Sequence, residues 1–273
     1  MMSMTGAEAW KTSLMGLVQG VTEYLPVSST GHLILCKARL GLELDESFEI
    51  FIQSGSVLAV LTALWPRFLR LLRFRENTGF SGLRGWWLLV LSTLPACVAG
   101  LVAHDWITGN LYGAKPVAWA LLAGGIAMIA VEWRMGRKGP GTEVASVDGV
   151  GAWQALGVGL FQILALFPGV SRSASTIIGG RVLGLGREAA TAYSFFAAVP
   201  VLTLASGYSL LKAVSAGEVG AAQIPAYALG TIVSYLASLV AIRFLLKFVA
   251  RHTFIGFGVY RILLAAAVLL LAA

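Results

Sequence analysis

Gln19-Gly20-Val21-Thr22-Glu23-Tyr24-Leu25-Pro26-Val27-Ser28-Ser29-Thr30-Gly31-His32 lies in the middle of an apolar run, Leu14–Leu35. Proline removes a backbone donor and disfavours helix at the residue before it. A helix broken in hydrocarbon leaves unpaired backbone groups, tolerated only where the break is buried in protein or lines a wet cavity. Pro168-Gly169-Val170-Ser171-Arg172-Ser173 interrupts a second apolar run, Ala155–Leu185, in the same way. Both runs therefore read as re-entrant hairpins, each a helix, a polar tip and a second helix.

The rest of the chain makes lipid the solvent. Of 273 residues, 58% are hydrophobic and 12% charged, and the mean hydropathy is +0.81. Soluble domains carry about 25% charged residues, and a soluble chain of this balance would expose large apolar patches. Six runs approach the ~20 residues a spanning helix needs: Ile50–Trp65, Trp86–Val102, Val117–Val131, Ser194–Leu211, Ile224–Ile242 and Phe254–Ala273. The net charge of +7 does not imply nucleic acid, because the basic residues sit between apolar runs and no stacking motif accompanies them. Cys36 and Cys97 lie in apolar stretches and read as small core residues. Met1 to Trp10 has no basic residue before the first apolar run and no clear small-residue cleavage site, so no removable signal peptide is expected.

The hairpins resemble each other. At an offset of 143 residues, Gly16, Leu17, Gln19, Val27 and Ser28 match Gly159, Leu160, Gln162, Val170 and Ser171. Three spans follow each hairpin. Three crossings is an odd number, so a second copy starts on the opposite side of the membrane, an inverted repeat. The expected fold is an all-α polytopic membrane protein, six full transmembrane helices plus two re-entrant hairpins. It forms one integral membrane domain over 1–273, with repeats at about 8–131 and 151–273.

Loop charge sets the orientation. Arg67, Arg70, Arg73, Arg75 and Arg84 follow the first span, Arg134, Arg137 and Lys138 the third, and Arg243, Lys247 and Arg251 the fifth. The two intervening loops hold Lys115 and Lys212. The positive-inside rule puts the three basic connections in the cytoplasm and both termini outside. The first hairpin then enters from outside, the second from the cytoplasm, and the tips meet near the midplane. Lys37 and Arg39 run counter to this, with Glu43, Asp45, Glu46 and Glu49 close by.

Ionisable residues inside a membrane read as functional. Gln19 and Glu23, four apart, share a helix face. Ser28, Ser29 and Thr30 form the tip. Ser29 and His32, three apart on a helix, suit an activated nucleophile and its base, although a Ser-x-x-His pair also arises by accident and suits a hydroxyl-rich helix contact. Ser171, Arg172, Ser173, Ser175 and Thr176 at the start of a half-helix suit a phosphate cradle. The plainer alternative is an Arg172–Glu23 pair kept for structure. Glu49 is either a solvated helix-start carboxylate or a metal ligand. Arg261, inside the last apolar run, either snorkels or pairs with a carboxylate, and His104 and His252 read as interfacial. With no zinc pattern present, Mg²⁺ or Ca²⁺ is the expected cation, held by Glu23 and Gln19 with phosphate oxygens.

The first tip, the run Pro168-Gly169-Val170-Ser171-Arg172-Ser173-Ala174-Ser175-Thr176 and the segment Ser47-Phe48-Glu49-Ile50-Phe51-Ile52-Gln53 together resemble the signatures of the undecaprenyl-diphosphate phosphatases of the bacitracin-resistance type, in the family's order. The resemblance covers the whole chain. It implies hydrolysis of undecaprenyl diphosphate to the monophosphate carrier of cell-wall precursors, dependence on a divalent metal, and the two-hairpin inverted fold. It also implies a multi-pass protein of the bacterial plasma (inner) membrane with a site open to the outer face, and a possible homodimer. It places Glu23 in a metal-binding pair, His32 and Ser29 in the catalytic centre, and Arg172 in the phosphate clamp. Gln19 stands where glutamate is commoner, and Ala174 where glycine is frequent.

A polyprenyl-phosphate transporter is the competing expectation, because broken helices in inverted repeats also bind anionic substrates at the midplane. A non-catalytic scaffold is a third. Whether Ser29, His32 or a water attacks is not separable at this level.

Overall fold

The structure is a computed structural model describing residues 4–40, 46–76, 78–111, 113–137, 143–217, 219–220 and 223–272. Glu43, Asp45 and Lys138, and the side chains of Glu46 and His104, lie outside the described residues. Eleven α-helices are described, in order α1 Gly6–Tyr24, α2 Ser29–Leu40, α3 Glu46–Ala63, α4 Trp65–Leu71, α5 Gly82–Leu111, α6 Ala114–Met135, α7 Ala152–Ile163, α8 Arg172–Val182, α9 Arg187–Ser215, α10 Ile224–Val249 and α11 Ile255–Ala272. Short 3-10 turns cover Val147–Gly149 and Leu164–Leu166. The one β-type pairing given for the described residues is the isolated bridge between Val144 and Leu185.

Local chemistry explains the breaks. Thr5 and Glu8 form a capping box that starts α1: the Thr5 hydroxyl accepts from Glu8 N–H, and the Glu8 carboxylate accepts from Thr5 N–H at 2.8 Å. The helix ends at Tyr24, and Leu25, immediately before Pro26, is extended, as the steric demand of a following proline requires. The second break falls at Phe167, again extended and immediately before a proline.

Four helices are long and apolar enough to cross a membrane: Gly82–Ala103 within α5, and α6, α9 and α10. The runs Trp86–Val102, Val117–Val131, Ser194–Leu211 and Ile224–Ile242 fall within these. The first expected span is interrupted, since α3 stops at Ala63 and α4 restarts at Trp65, with Pro66 in its first turn. Its apolar part, Phe51–Ala63, and that of the last helix, Ile255–Leu270, are shorter apolar helices. All eight tryptophans are exposed, between 42% and 69%. Each lies near a helix end, as in the aromatic belts where indole rings sit at the headgroup level. The chain is thus a multi-pass, all-helical membrane protein.

Close backbone approach holds the hairpins against the long helices. α1 packs along α10, and α7 along α5. A Cβ added at Gly20 would sit 2.7 Å from the Ala237 Cβ, and one at Gly159 would sit 2.7 Å from the Leu91 carbonyl oxygen. Small residues at such crossings let helices pack where lipid removes the hydrophobic drive between them. The main buried cluster includes Tyr24, Ile177, Phe195, Ile242 and Phe254, so it joins both hairpins to α9, α10 and the start of the last helix.

Two polar clusters brace one end. Buried Glu132 accepts from Arg181 Nε at 3.1 Å and from Arg187 Nε at 2.8 Å, while Arg181 also pairs with Glu143 at 2.7 Å. Asp148 binds Arg67 at 2.7 Å and the Phe80 N–H at 3.0 Å, with Arg70 at 3.5 Å. Burial opposes ionisation of Asp148, but the Arg67 and Phe80 hydrogen bonds and the two guanidinium charges outweigh it and hold the carboxyl below its ordinary range.

Candidate active site

The two tips turn on the same strained backbone. Among the described residues, Ser28 and Ser171 are the non-glycine residues with positive φ, both +72°, a region L-residues rarely occupy. Each then caps the helix that follows. The Ser28 hydroxyl accepts from Gly31 N–H at 3.4 Å, and the Ser171 hydroxyl from Ala174 N–H at 3.3 Å. These positions are related by the 143-residue offset. The matched glycines Gly16 and Gly159 both sit at tight helix crossings. The matched glutamines differ: Gln19 bonds Glu23, whereas Gln162 donates to the Ser92 carbonyl at 2.9 Å.

Glu23, 6% exposed, is where the tips meet. One carboxylate oxygen accepts from the Gln19 amide at 2.9 Å and the Ser29 hydroxyl at 3.2 Å. The other accepts from Arg172 at 3.1 Å. Arg172 also donates to the Ser194 carbonyl at 3.2 Å and lies over the Tyr24 ring, 5.2 Å from its centroid. Its Nε is buried and has no hydrogen-bond partner among the described residues. Ser173 donates to the Leu25 carbonyl at 2.9 Å, a second tie between the tips, and its hydroxyl is 3.0 Å from that of Ser171. Thr176 is buried and bonded to Ser194 at 2.6 Å. Thr30 is partly exposed on the first turn of α2. Ser175 is turned back on the Ser171 carbonyl at 2.9 Å.

The expected Ser29–His32 pair is not formed. His32 Nδ1 donates to the Ser28 carbonyl at 2.8 Å, and Nε2 is 2.7 Å from the Tyr260 hydroxyl. A carbonyl only accepts, so a neutral His32 carries its proton on Nδ1 and offers the Nε2 lone pair to Tyr260. The group in contact with Ser29 is Glu23. Glu49 is in an ion pair with Lys37.

Arg261 takes neither of its expected arrangements. It is fully buried, and its partners are carbonyls: Gly169 at 3.1 Å, and Pro26, Leu121 and Ala120 at 3.4 Å. Among the described residues it has no carboxylate partner, and it bridges both tips. An arginine and a tyrosine adjacent in the last apolar run are the available signal for it and for Tyr260, but local spacing carries no mark of their direction. His252 is exposed and stacks on Phe248.

A carboxylate, a hydroxyl, a histidine and an unsaturated arginine at paired half-helix ends can bind and cleave a phosphate ester or anhydride. The family model described as bacitracin resistance protein BacA matches residues 12–267. The chain belongs to the BacA family. Undecaprenyl-diphosphatase of Oleidesulfovibrio alaskensis is 46% identical over 94% of this chain and 96% of that protein. The proteins of the same name from Maridesulfovibrio salexigens and Wolinella succinogenes are 44% and 39% identical over 94% and 92% of this chain, and 96% and 93% of their own lengths. The match to the BacA model spans both hairpins and Arg261, so every group described above lies in the shared part of the chain.

Cation binding by this BacA-family site has a chemical limit. Among the described residues no three His, Cys, Asp or Glu side chains come together. Glu23 and Gln19 supply hard oxygen donors, the latter once its amide turns over to present the carbonyl. That set fits Mg²⁺ or Ca²⁺ completed by phosphate oxygens, the mode in which such ions use one or two carboxylates, rather than an all-protein cage.

Proposed function

We propose that this protein removes the terminal phosphate of undecaprenyl diphosphate, releasing undecaprenyl phosphate and inorganic phosphate in the bacterial plasma membrane. The observation that carries this reading is Glu23, held at once by Ser29 of its own tip and by Arg172 of the other, beside the unbonded Nε of Arg172. A diphosphate seated there satisfies that donor, with the prenyl chain left in lipid. Ser28, Thr30, Ser171, Ser173 and Thr176 line the two tips and are the further substrate contacts in this reading.

In the first route the Ser29 oxygen attacks the terminal phosphorus while Glu23 takes its proton. The bond to the bridging oxygen breaks, and undecaprenyl phosphate leaves with the bonding electron pair. Water, deprotonated by His32 Nε2, then attacks the phosphoserine, and phosphate departs as Ser29 recovers a proton. In the second route Nε2 of His32 attacks directly, and in the third it activates water without a covalent step. Arg172 stabilises the charge that grows on the transferred group. A Mg²⁺ or Ca²⁺ at Glu23 and Gln19 would neutralise phosphate charge when bound. Glu49 stays outside that set while it is paired with Lys37.

The same proposal includes the finer architecture. The chain is one integral membrane domain of six spans and two re-entrant hairpins, with inverted repeats at about 8–131 and 151–273. The twin torsions at Ser28 and Ser171 and the reciprocal packing of α1 on α10 and α7 on α5 support it. The basic connections face the cytoplasm, both termini face outward, and the site opens to the outer face. A homodimer is the proposed assembly, to be checked by mass measurement in detergent.

The deciding experiment measures phosphate release from a C55 prenyl diphosphate by folded, purified protein, with and without chelator. An inactive, folded wild type with metal present ends the phosphatase reading. Trapping separates the routes: acid-stable label on Ser29, acid-labile label on His32, or no label for water. The transporter alternative rests on layout alone and draws no support from the site.

A further inference from the structure

We infer that the aromatic cleft between α1, α10 and α11 is the track for the head-proximal isoprene units of the substrate's tail, an inference that rests on the phosphatase reading above. The cleft is an open groove with about 310 Å³ of space. Val21 and Leu25 of the first hairpin form one wall, Phe244 and Phe248 of α10 a second, and Phe257 and Tyr260 of α11 the third. His32 also lines it, so the cleft reaches the hairpin tip itself.

Three features favour a prenyl chain over unspecific bilayer lipid. The first is continuity: Tyr260 lines the cleft and bonds His32 Nε2 at 2.7 Å, so a chain whose diphosphate lies at the tips has this wall as its neighbour. The second is wall chemistry. Phe244, Phe248 and Phe257 form an aromatic run, the first pair tilted with centroids 5.6 Å apart and the second edge-to-face at 5.2 Å. Ring faces of this kind suit the methyl branches and double bonds recurring along an isoprenoid chain. The third is room. A Cβ added at Gly256, which lines the cleft, meets nothing within 4 Å, so glycine there leaves open space in a position that would tolerate a side chain. Small-molecule sites are commonly apolar clefts with a few polar groups at one end, as here.

The test uses the full chain in detergent with two substrates, C55 and C15 prenyl diphosphates, and reads kcat and KM on each. Gly256→Trp fills the cleft, and Phe244→Ala opens it. Phe244 is half exposed, so its truncation removes little buried packing. Both substrates carry the head-proximal units, so the expected result on each is a rise in KM of about tenfold for Gly256→Trp and a few-fold for Phe244→Ala with kcat kept, the scale on which apolar pockets discriminate and the mark of lost uniform binding. If Gly256→Trp does not fold, Phe244→Ala decides. Wild type active on both chains, with KM unchanged in the folded variants, overturns the track and leaves bilayer acyl chains as the occupant. Wild type inactive on both overturns the phosphatase reading itself.

Discussion

The Tyr260 hydroxyl lies 2.7 Å from Nε2 of His32, across 228 residues of chain. The rings are nearly parallel, with centroids 5.6 Å apart. With Nδ1 committed to the Ser28 carbonyl, Tyr260 fixes the orientation of the nitrogen left to do chemistry. Tyr260→Phe is therefore expected to lower kcat about tenfold, in line with loss of a group that orients a catalytic one. His32→Ala is expected to cost about 100-fold to 10,000-fold. Phosphate-release kinetics on folded protein checks both; a Tyr260→Phe rate equal to wild type removes the tyrosine from the mechanism.

Glu23 and Arg172 pair at 3.1 Å with side chains 5% and 8% exposed. Removing one partner leaves a buried charge uncompensated, which typically costs about 3–5 kcal/mol. Glu23→Ala and Arg172→Ala should each lower the unfolding midpoint in detergent and lose nearly all activity. The double variant should be less destabilised than the sum of the two. Arg172→Lys should recover stability better than activity, because an ammonium lacks the planar fork of donors. Additive losses in the double-mutant cycle would show that the pair is not coupled.

At Ser28 and Ser171 the hydroxyl caps a helix while the backbone sits at φ +72°. Alanine keeps the strain and loses the cap, a cost of about 1 kcal/mol for the cap alone. Glycine loses the cap but relieves the strain. Ser171→Ala should therefore unfold at lower temperature than Ser171→Gly, and likewise at Ser28. The reverse order in thermal unfolding contradicts the strain.

Arg261 donates to carbonyls of both tips, Pro26 and Gly169. Arg261→Leu leaves those acceptors buried without donors, each worth about 1–3 kcal/mol. It should loosen the tips, seen as faster proteolysis or labelling of cysteines placed there, and reduce activity. Wild-type protection in Arg261→Leu would reduce the arginine to packing.

Asp148 sets a pH dependence outside the lipid. Its folded carboxyl titrates below the ordinary aspartate value, about 3.9. A depressed folded value means the stabilisation is fully present above about pH 3.9 and is lost as pH falls through the folded value. Wild type should therefore exceed Asp148→Asn in thermal stability at pH 6, and the gap should close on acidification below about pH 4. A gap constant from pH 6 to pH 3 would contradict the assignment.

The sequence by itself determined the membrane class, the two broken hairpins and the groups at their tips. Each follows from local rules: prolines and hydroxyls cannot interrupt a helix in lipid without buried or wet surroundings, and Glu23 and Arg172 are too costly there to be idle. The likeness of the hairpins was legible too, since Ser28 and Ser171 share a torsion that the matched residues only hinted at. What the tertiary structure decided is direction. Ser29 and His32 are three apart on one helix, yet the serine turns to Glu23 and the histidine to Tyr260. Glu49 goes to Lys37, Arg261 to backbone carbonyls, and Asp148 to arginines about 80 residues before it. A side chain's partner depends on which helices pass it: the spacing of Gly16 and Gly20 marks a face for close helix approach, but that α10 is the helix that takes it is decided only by the tertiary packing.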